Sequence, residues 1–316
     1  MLLGFLLRKN SMRIVSAPKI PSEEIFSLAR EFLLLHEKKC VSLVERIFRH
    51  EVRFFLILGE PDDVGQEKVE GLFSYSDGGQ ILHCLCGAEE NRDAYVRALS
   101  DFFSSFSQEE EFSKLFSIIG ESVGTRIIED SVFEATGILP LFSEDTYFYE
   151  LGSAFDGRDF ISDSVPIARK MLSAEICRAG MDFFEELKPI QKSYEEEEVL
   201  FEGQPFNPAV SSFLLKKAIS AESVYIAVSG GKIVGKAALN AVGEKYVQIG
   251  GVFTVPEFRG RGIAKALVEK IICEKTGEGK KIVLFAKTKN LPAQKLYESC
   301  GFNRFGGFKI CYYRNG

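Results

Sequence analysis

Apolar and polar positions along the first 155 residues follow two periods, which predicts a mixed α/β domain. Apolar residues recur at helical spacing over residues 22–50 and 90–107, and a short helix is predicted near 109–118. The turn Ser76-Asp77-Gly78-Gly79 predicts a β-hairpin. Strand patterns occur in RFFLILG, VEGLFSY, QILHCLC, TRIIED and TYFYELG.

The pattern is sharper from Val165 to the end of the chain. The order of helix, hairpin, strand, helix, strand, helix and strand is typical of an α+β layered domain. The polar stretch FDGRDFISDS predicts a linker over residues 156–164, so we expect one domain at 1–155 and a second at 165–316. Helices are predicted at about 165–176, 180–196, 209–220, 261–275 and 291–300, and strands in SVYIAV, KIVGKAALNA, YVQIGGVFT, KIVLFA and FKICYY.

Length, charge and hydropathy are those of an ordinary globular protein. The 316 residues favour two domains, and no run of about eighteen apolar residues predicts a membrane span. The net charge of −6 argues against a general nucleic-acid binder. The start MLLGFLLRKN has too short an apolar run for a signal peptide, and we interpret it as an upstream start before Met12. We expect a cytoplasmic protein with neither a membrane nor a nucleic acid as its partner.

The cysteines predict no disulfide framework. There are seven of them at scattered positions, which suits reduced thiols in a cytosol. Cys84 and Cys86, beside His83, resemble half of a metal site, but the alternation in QILHCLC favours a strand and no second cysteine pair follows. We therefore expect no metal.

The stretch GGVFTVPEFRGRGIAKALVEKI, residues 250–271, carries the strongest chemical signal. A strand interrupted by Gly250-Gly251 passes through a basic, glycine-spaced turn into an amphipathic helix. The first N–H groups of a helix lack intrahelical partners and, with the helix dipole, form an anion site. In Arg259-Gly260-Arg261-Gly262 the glycines let an anion approach the backbone, and the arginines add charge suited to phosphate. The turn therefore predicts a diphosphate site.

Other glycine-rich loops fit this turn less well. A Walker loop needs Gly-Lys-Ser/Thr at the helix start, which is missing. A Rossmann fingerprint follows the first strand of a βαβ unit, whereas this turn follows the third strand of a mostly antiparallel run. An RNA-binding Arg-Gly segment would be longer. A plain turn with helix-capping glycines remains the alternative.

Two motifs in this half resemble those of the GCN5-related N-acetyltransferases, the GNAT superfamily. Residues 259–264, Arg-Gly-Arg-Gly-Ile-Ala, match the family's R/Q-x-x-G-x-G/A motif. Downstream, Asn290, Ala293, Leu296-Tyr297 and Gly301-Phe302 match its N-x-x-A-x-x-L-Y-x-x-x-G-F signature. The order and spacing of both motifs are correct. The resemblance covers about residues 165–316 and implies a mixed, mostly antiparallel sheet flanked by helices.

The family transfers an acetyl group from acetyl-CoA to an amine by direct attack, so the resemblance implies the same reaction here. It implies that the pantetheine arm pairs, strand-like, with Val252, Phe253 and Thr254, in space opened by splaying beside Gly250-Gly251. Asn290 would contact the pantetheine from the start of a helix. The diphosphate would rest on the turn formed by Arg259, Gly260, Arg261, Gly262, Ile263, Ala264 and Lys265.

The resemblance also implies that Tyr297 is the general acid that protonates the leaving thiolate. A phenol with a pKa of about 10 remains protonated where a thiol with a pKa of about 8.5 has ionised. The alternative is a buried aromatic residue on the helix from Leu291 to Cys300.

The general base is where the sequence departs from some relatives. Several members carry a glutamate at the position of Gln248, and another common site holds Phe285. A substrate ammonium with a pKa near 10 must still lose a proton before attack. The remaining candidates, in order, are Glu197 and Glu198, then Glu244, then a chain of water molecules.

The acceptor pocket has only weak candidates. Tyr194, with Glu197 and Glu198, could meet a cation, and Lys236 and Asn240 could face the pocket from a strand. A solvated acidic helix end and an ordinary strand explain the same residues. The acceptor amine, on a small molecule or a protein, is not specified.

The first half lacks an R-x-x-G-x-G/A turn, yet its order of elements resembles a degenerate copy of the same fold. We therefore predict a tandem protein with an inactive first copy, an accessory domain being the alternative. Two functions stay open for the second half: an N-acetyltransferase, favoured by Asn290 and Tyr297, and a non-catalytic acyl-CoA sensor, left open by Gln248.

Overall fold

The computed structural model describes residues 12–61, 65, 67–153 and 174–313. They divide into two compact units: the first runs up to Thr146 and includes the residues from Gly307 onward, and the second runs from Tyr147 to Gly306. The predicted linker, residues 1–11 and most of the helix predicted at 165–176 lie outside the described residues. The domain boundaries at 155 and 165 therefore stay predictions.

The first unit has five strands in chain order, followed by parts of two more. Its strand order is β1-β2-β3-β4-β5-β12-β6. Neighbouring strands are antiparallel from β1 to β4 and between β5 and β12, and β4 and β5 are parallel. The strands are β1 (Arg13–Ala17), β2 (Arg53–Leu58), β3 (Val69–Tyr75), β4 (Gln80–Leu85), β5 (Ser117–Glu121), β6 (Phe142–Leu151) and β12 (Phe302–Tyr312), and the helices are α1 (Glu23–His36), α2 (Val41–Phe48), α3 (Arg92–Phe106) and α4 (Ser122–Thr136).

The second unit repeats this arrangement. Its strand order is β7-β8-β9-β10-β11-β6-β12, with β10 and β11 as the parallel pair. The repeat confirms the predicted α+β fold and its tandem organisation. The elements are β7 (Ala174–Arg178), α5 (Phe184–Tyr194), a π-helical turn (Glu195–Val199), α6 (Pro208–Ser220), β8 (Val224–Ser229), β9 (Lys232–Val242), β10 (Tyr246–Thr254), α7 (Ile263–Gly277), β11 (Lys281–Lys287) and α8 (Leu291–Ser299).

The strands of each unit are apolar on both faces because helices cover both faces. In β2, Phe54 and Leu56 pack against α1 and α2, whereas Phe55 and Ile57 pack against α3 and α4. In the second unit, α5 and α6 cover one face and α7 and α8 the other. Each fully buried large apolar side chain contributes about 1.5–3 kcal/mol. The β10–α7 turn is thus held by a packed strand and a packed helix.

Three predicted elements are wrong. The segment TRIIED lies in α4, because Gly124, Ile128 and Val132 share the buried face of a helix, and this packing overrides the β-propensity of adjacent isoleucines. The helix near 109–118 is a 3₁₀ turn (Glu110–Lys114) followed by β5. The end of the helix predicted at 165–176 is strand β7, whose edge position leaves a half-buried pattern. Strand β1 was not predicted.

Within the described residues, no helix combines the length and the apolar character that crossing a membrane requires. The same residues contain no group of three or more His, Cys, Asp and Glu side chains arranged to hold a metal ion.

Candidate active site

The β10–α7 turn leaves backbone donors open at the start of α7. Gly262 caps the helix in the left-handed region, with φ 80°, and Gly260 has φ 74°. The first helical hydrogen bond runs from Ala266 N to Gly262 O over 3.0 Å, so the N–H groups of the three residues between them precede the helical ladder. No side chain caps this helix start, and a Cβ at Gly260 would meet nothing within 4 Å. The turn can therefore receive an anion.

The two arginines of the turn are oriented by protein groups. Arg259 donates from Nε to Thr254 O over 3.0 Å and from Nη2 to Glu197 Oε2 over 2.7 Å. Arg261 donates to Glu257 O over 3.0 Å. Arg259 thus links the turn to the acidic segment, whereas Arg261 is folded back over a 3₁₀ turn (Pro256–Phe258) that precedes the helix.

The parallel strands β10 and β11 separate beside the turn. Their paired register ends at Ile249 and Leu284, although β10 continues to Thr254 and β11 to Lys287. Thr254 Oγ1 is buried and has no hydrogen-bond partner among the described residues. A buried polar atom without a partner costs about 1–3 kcal/mol. A ligand chain with polar groups between the strands would relieve that cost, so the residues predicted to hold the pantetheine fit it.

A β-bulge interrupts β10 where the glycine pair lies. Gly250 is opposite Ala238 and Phe253 is opposite Lys236, so two residues of β10 face a single residue of β9. Gly251 has a φ of 59°, a backbone conformation that would be strained in a residue with a side chain. Lys236 is 2 % exposed and donates from Nζ to Gly251 O over 3.0 Å.

Asn290 links α8 to the acidic segment. Its Oδ1 accepts from Ala293 N over 3.0 Å, which caps the helix as predicted, and its Nδ2 donates to Glu198 Oε1 over 3.0 Å. Tyr297, seven residues on, is buried, and its pKa is raised by burial, with smaller contributions from Tyr194 and Glu198. Asn290, Glu198, Tyr194 and Tyr297 therefore belong to one neighbourhood.

The candidate bases are placed differently from one another. Glu197 pairs with Arg259 and Glu198 accepts from Asn290, so both lie beside the predicted cofactor residues. Glu244 lies in the turn before β10, at the far end of that strand from Thr254, where Lys280 contacts its carbonyl. Phe285 packs against Phe148. The structure brings the first two glutamates into the site and leaves Glu244 outside it.

The corresponding gap in the first unit is filled by His83. The parallel register of β4 and β5 ends at Leu82 and Ile119, so His83 takes the position that Gly250 holds in the second unit. A Cβ atom at Gly120 would lie 2.2 Å from the His83 ring, and a Cβ atom at Gly124 would lie 2.7 Å from it, so the ring fits only against glycine at these positions. The Nε2 atom of His83 is 2.8 Å from Thr125 Oγ1. The following turn carries exposed Glu89 and Glu90, which repel an anion. The alternation in QILHCLC predicted the strand but gave no indication that the His83 side chain fills this gap.

A separate cleft opens at the amino end of β11. None of the predicted site residues line it, and its lysines are bonded to backbone carbonyls or packed on rings. Its lining includes Glu150, Ser153, Thr276, Lys280, Lys281 and Arg304.

Comparison with known proteins identifies the family of the part of the chain that carries these residues. Residues 184–302 match the family model described as Acetyltransferase (GNAT) family. This part of the chain is a domain of the GNAT acetyltransferase family, as its motifs predicted. No curated protein matches the sequence.

Solved structures resemble the fold of the whole chain at low identity. One is a tandem GNAT protein from the clavulanic acid biosynthesis pathway, with a TM-score of 0.59, 10 % identity and coverage of 96 % of this chain and 99 % of that one. A GCN5-related N-acetyltransferase from Sphaerobacter thermophilus has a TM-score of 0.56 and 14 % identity, with coverage of 96 % of this chain and 97 % of that one. A GNAT-family acetyltransferase from Colwellia psychrerythraea has a TM-score of 0.51 and 12 % identity, with coverage of 96 % of this chain and 100 % of that one. At these identities the likeness supports a tandem fold.

Proposed function

We propose that the second unit is an acetyl-CoA-dependent N-acetyltransferase that moves the acetyl group directly to an amine of a small molecule or protein. The observation that carries the proposal is the pairing of an open helix start at Gly262 with parallel strands that separate after Ile249 and Leu284. One feature suits a diphosphate and the other an extended chain. Acetyl-CoA supplies an activated thioester when it is bound.

The residues of the second unit have distinct roles in this proposal. The N–H groups from Gly260 to Lys265 bind the diphosphate, and Val252, Phe253 and Thr254 present the backbone of β10 to the pantetheine. Asn290 orients the start of α8 beside it. Tyr297 holds a proton for the departing sulfur, and burial keeps its phenol protonated at neutral pH by raising its pKa.

The acidic segment Glu195–Glu198 provides an entry for a cationic acceptor. Glu196 and Glu197 are about half exposed, and Glu198 reaches inward to Asn290. Negative charge beside the site raises the local concentration of an ammonium group. We therefore propose an amine that is protonated in solution as the acceptor.

Calorimetry on the full chain tests the proposal at the anion turn. Gly262→Asp puts a side chain and a negative charge on a left-handed cap, and we expect acetyl-CoA affinity to fall by about tenfold to a hundredfold, the loss of one charged hydrogen bond. Gly277→Asp, at the other end of α7 where a Cβ meets nothing within 4 Å, is the matched control and should bind normally. Equal affinities for both variants would refute the assignment of the turn.

An acceptor panel, followed by thiol release, tests for turnover. Thiol release that requires an added amine, of a kind that is protonated in solution, supports the proposed acetyltransferase activity. Binding of acetyl-CoA without release for any amine would instead favour the acyl-CoA sensor.

A further inference from the structure

Lys236 is a buried lysine beside the strand predicted to hold the cofactor. It lies on β9 opposite Phe253, beside the bulge of β10, and is 2 % exposed. Its Nζ is 3.0 Å from Gly251 O and 4.1 Å from the centre of the Tyr194 ring. Lysines are almost never this buried unless a carboxylate pairs with them, because desolvation of an ammonium is expensive.

The charged and titratable groups facing Lys236 offer it little compensation. Tyr194 covers it from the end of α5, and the neutral carbonyl of Gly251 on β10 accepts its hydrogen bond. From the π-helical turn, Glu195 favours the cationic form, but its Oε1 already accepts from Gln191 and Ser211 over 2.8 Å each. Burial therefore dominates and lowers the pKa of Lys236 to about 7. A lysine with this pKa is partly neutral at physiological pH.

Tyr194 connects Lys236 to the predicted general acid. Its ring contacts Nζ of Lys236 and lies 6.2 Å from the ring of Phe253, and its hydroxyl contributes to the electrostatic environment of Tyr297. Tyr194 thus contacts the lysine, packs near Phe253 of the bulge and acts electrostatically on the predicted proton donor. The two glutamates nearby are engaged by Arg259 and Asn290.

We propose that Lys236, beside the β10 bulge, is the general base of this site and takes the proton from the acceptor ammonium. This inference rests on the proposed function, because it assigns a role within the same reaction. Gln248, whose position is a glutamate in several members of the family, has no basic lone pair for a proton at neutral pH.

The proton balance closes with groups already described. The neutral Nζ of Lys236 takes one proton from R–NH₃⁺, which leaves R–NH₂. The amine lone pair forms the new C–N bond to the carbonyl carbon, and the C–S bond breaks with its electron pair on sulfur. Tyr297 gives its proton to the thiolate and regains one from the nitrogen that has become the amide. Lys236 then releases its extra proton to solvent, so the net products are R–NH–acetyl, the free thiol and H⁺.

Variants of Lys236 separate a base from a fixed positive charge. Lys236→Met removes the basic nitrogen. Lys236→Arg keeps the positive charge, but the guanidinium stays protonated at neutral pH and therefore cannot accept a proton. If Lys236 is the general base, the kcat of both variants should fall by about 10²- to 10⁴-fold, while the Kd for acetyl-CoA changes less than twofold. Lys232→Met, at the exposed start of the same strand, is the matched control and should keep wild-type turnover. Near-normal turnover of Lys236→Arg would overturn the proposal, since it would show that charge suffices.

The pH profile is the second kinetic readout. In wild type, log kcat/KM should rise with unit slope up to about pH 7, the value expected for Lys236, and this limb should be missing from Lys236→Met. A limb near pH 7 that survives in Lys236→Met would overturn the proposal. The limb of a free acceptor amine lies near pH 10 and is therefore distinguishable.

A direct titration needs no turnover. In protein labelled with [ε-¹³C]lysine, the resonance that is missing from Lys236→Met should shift with a midpoint near pH 7. A midpoint above about pH 9.5, close to that of an ordinary lysine, would overturn the proposal. If wild type acetylates no amine, the proposed function fails on that result alone, whereas the NMR midpoint decides whether Lys236 can act as a base.

Discussion

Arg259 donates from Nη2 to Glu197 Oε2 over 2.7 Å, so a residue of the predicted diphosphate turn is ion-paired with a predicted base. The two side chains are 43 % and 45 % exposed. An exposed pair of this kind contributes about 0.2–1 kcal/mol. In the proposed complex a diphosphate competes with Glu197 for the guanidinium, and the carboxylate would be a regulator of cofactor affinity more than a base.

Glu197→Gln should therefore bind acetyl-CoA more tightly than wild type. Loss of the competing charge is expected to raise affinity up to about fivefold at low salt, and the gain should shrink near 1 M salt because exposed charges are screened. Calorimetry at two salt concentrations measures the effect. Glu196→Gln, which removes a neighbouring charge paired with Lys192, is the control. Weaker binding by Glu197→Gln would mean that the pair shapes the turn.

Tyr297→Phe should keep the fold and lose most turnover. The ring packs against Phe302 and Tyr149, and Phe retains those contacts, so thermal stability and acetyl-CoA affinity should hardly change. Loss of the proton donor should lower kcat by about 10²- to 10⁴-fold where chemistry is limiting. The loss should be smaller for acyl donors whose leaving thiol is more acidic.

Tyr149→Phe provides the comparison for that experiment, because it deletes a neighbouring hydroxyl that contacts Glu298 instead. We expect turnover close to wild type. If Tyr297→Phe also turned over normally, Tyr297 would be a packing residue, and another group would protonate the thiolate.

The intact chain should bind one equivalent of acetyl-CoA. His83 occupies the gap between β4 and β5, and Glu89 and Glu90 stand where the first unit would need an anion site. Calorimetric titration should give a stoichiometry of one. Gly262→Asp should weaken that single site and expose no second one. A stoichiometry of two in wild type would contradict the inactive first copy.

His83 should make the first unit less stable in acid. Burial lowers its pKa from 6.5 to about 3, so the native imidazole stays neutral where the unfolded one takes up a proton. Stability is therefore fully present above pH 6.5 and is lost as pH falls from 6.5 towards 3, by up to about 1.4 kcal/mol per pH unit.

Urea unfolding of wild type and His83→Gln between pH 4.5 and 8 measures this loss. The variant, which does not titrate, should have the shallower decline below pH 6.5. The two slopes should agree above pH 7, which serves as the internal control. Parallel curves over the whole range would show that the imidazole is accessible to protons in the folded state.

Local patterns predicted the second half closely because its chemistry is local. A glycine-spaced helix start and a capping asparagine form their contacts within a few residues, so Gly262 and Asn290 were identifiable from spacing. Helices such as α4 were missed because adjacent isoleucines favour a strand until a sheet face is there to bury them.

By itself the sequence determined the family of residues 184–302 and predicted the anion turn and the candidate acid, since each depends on residue types at fixed short separations. The tertiary structure alone decided which distant residues meet. It paired Glu197 with Arg259, filled the first gap with His83 and buried Lys236 under Tyr194. Burial and charge proximity arise from strands and helices far apart in the chain, and they set the pKa values on which the chemistry depends.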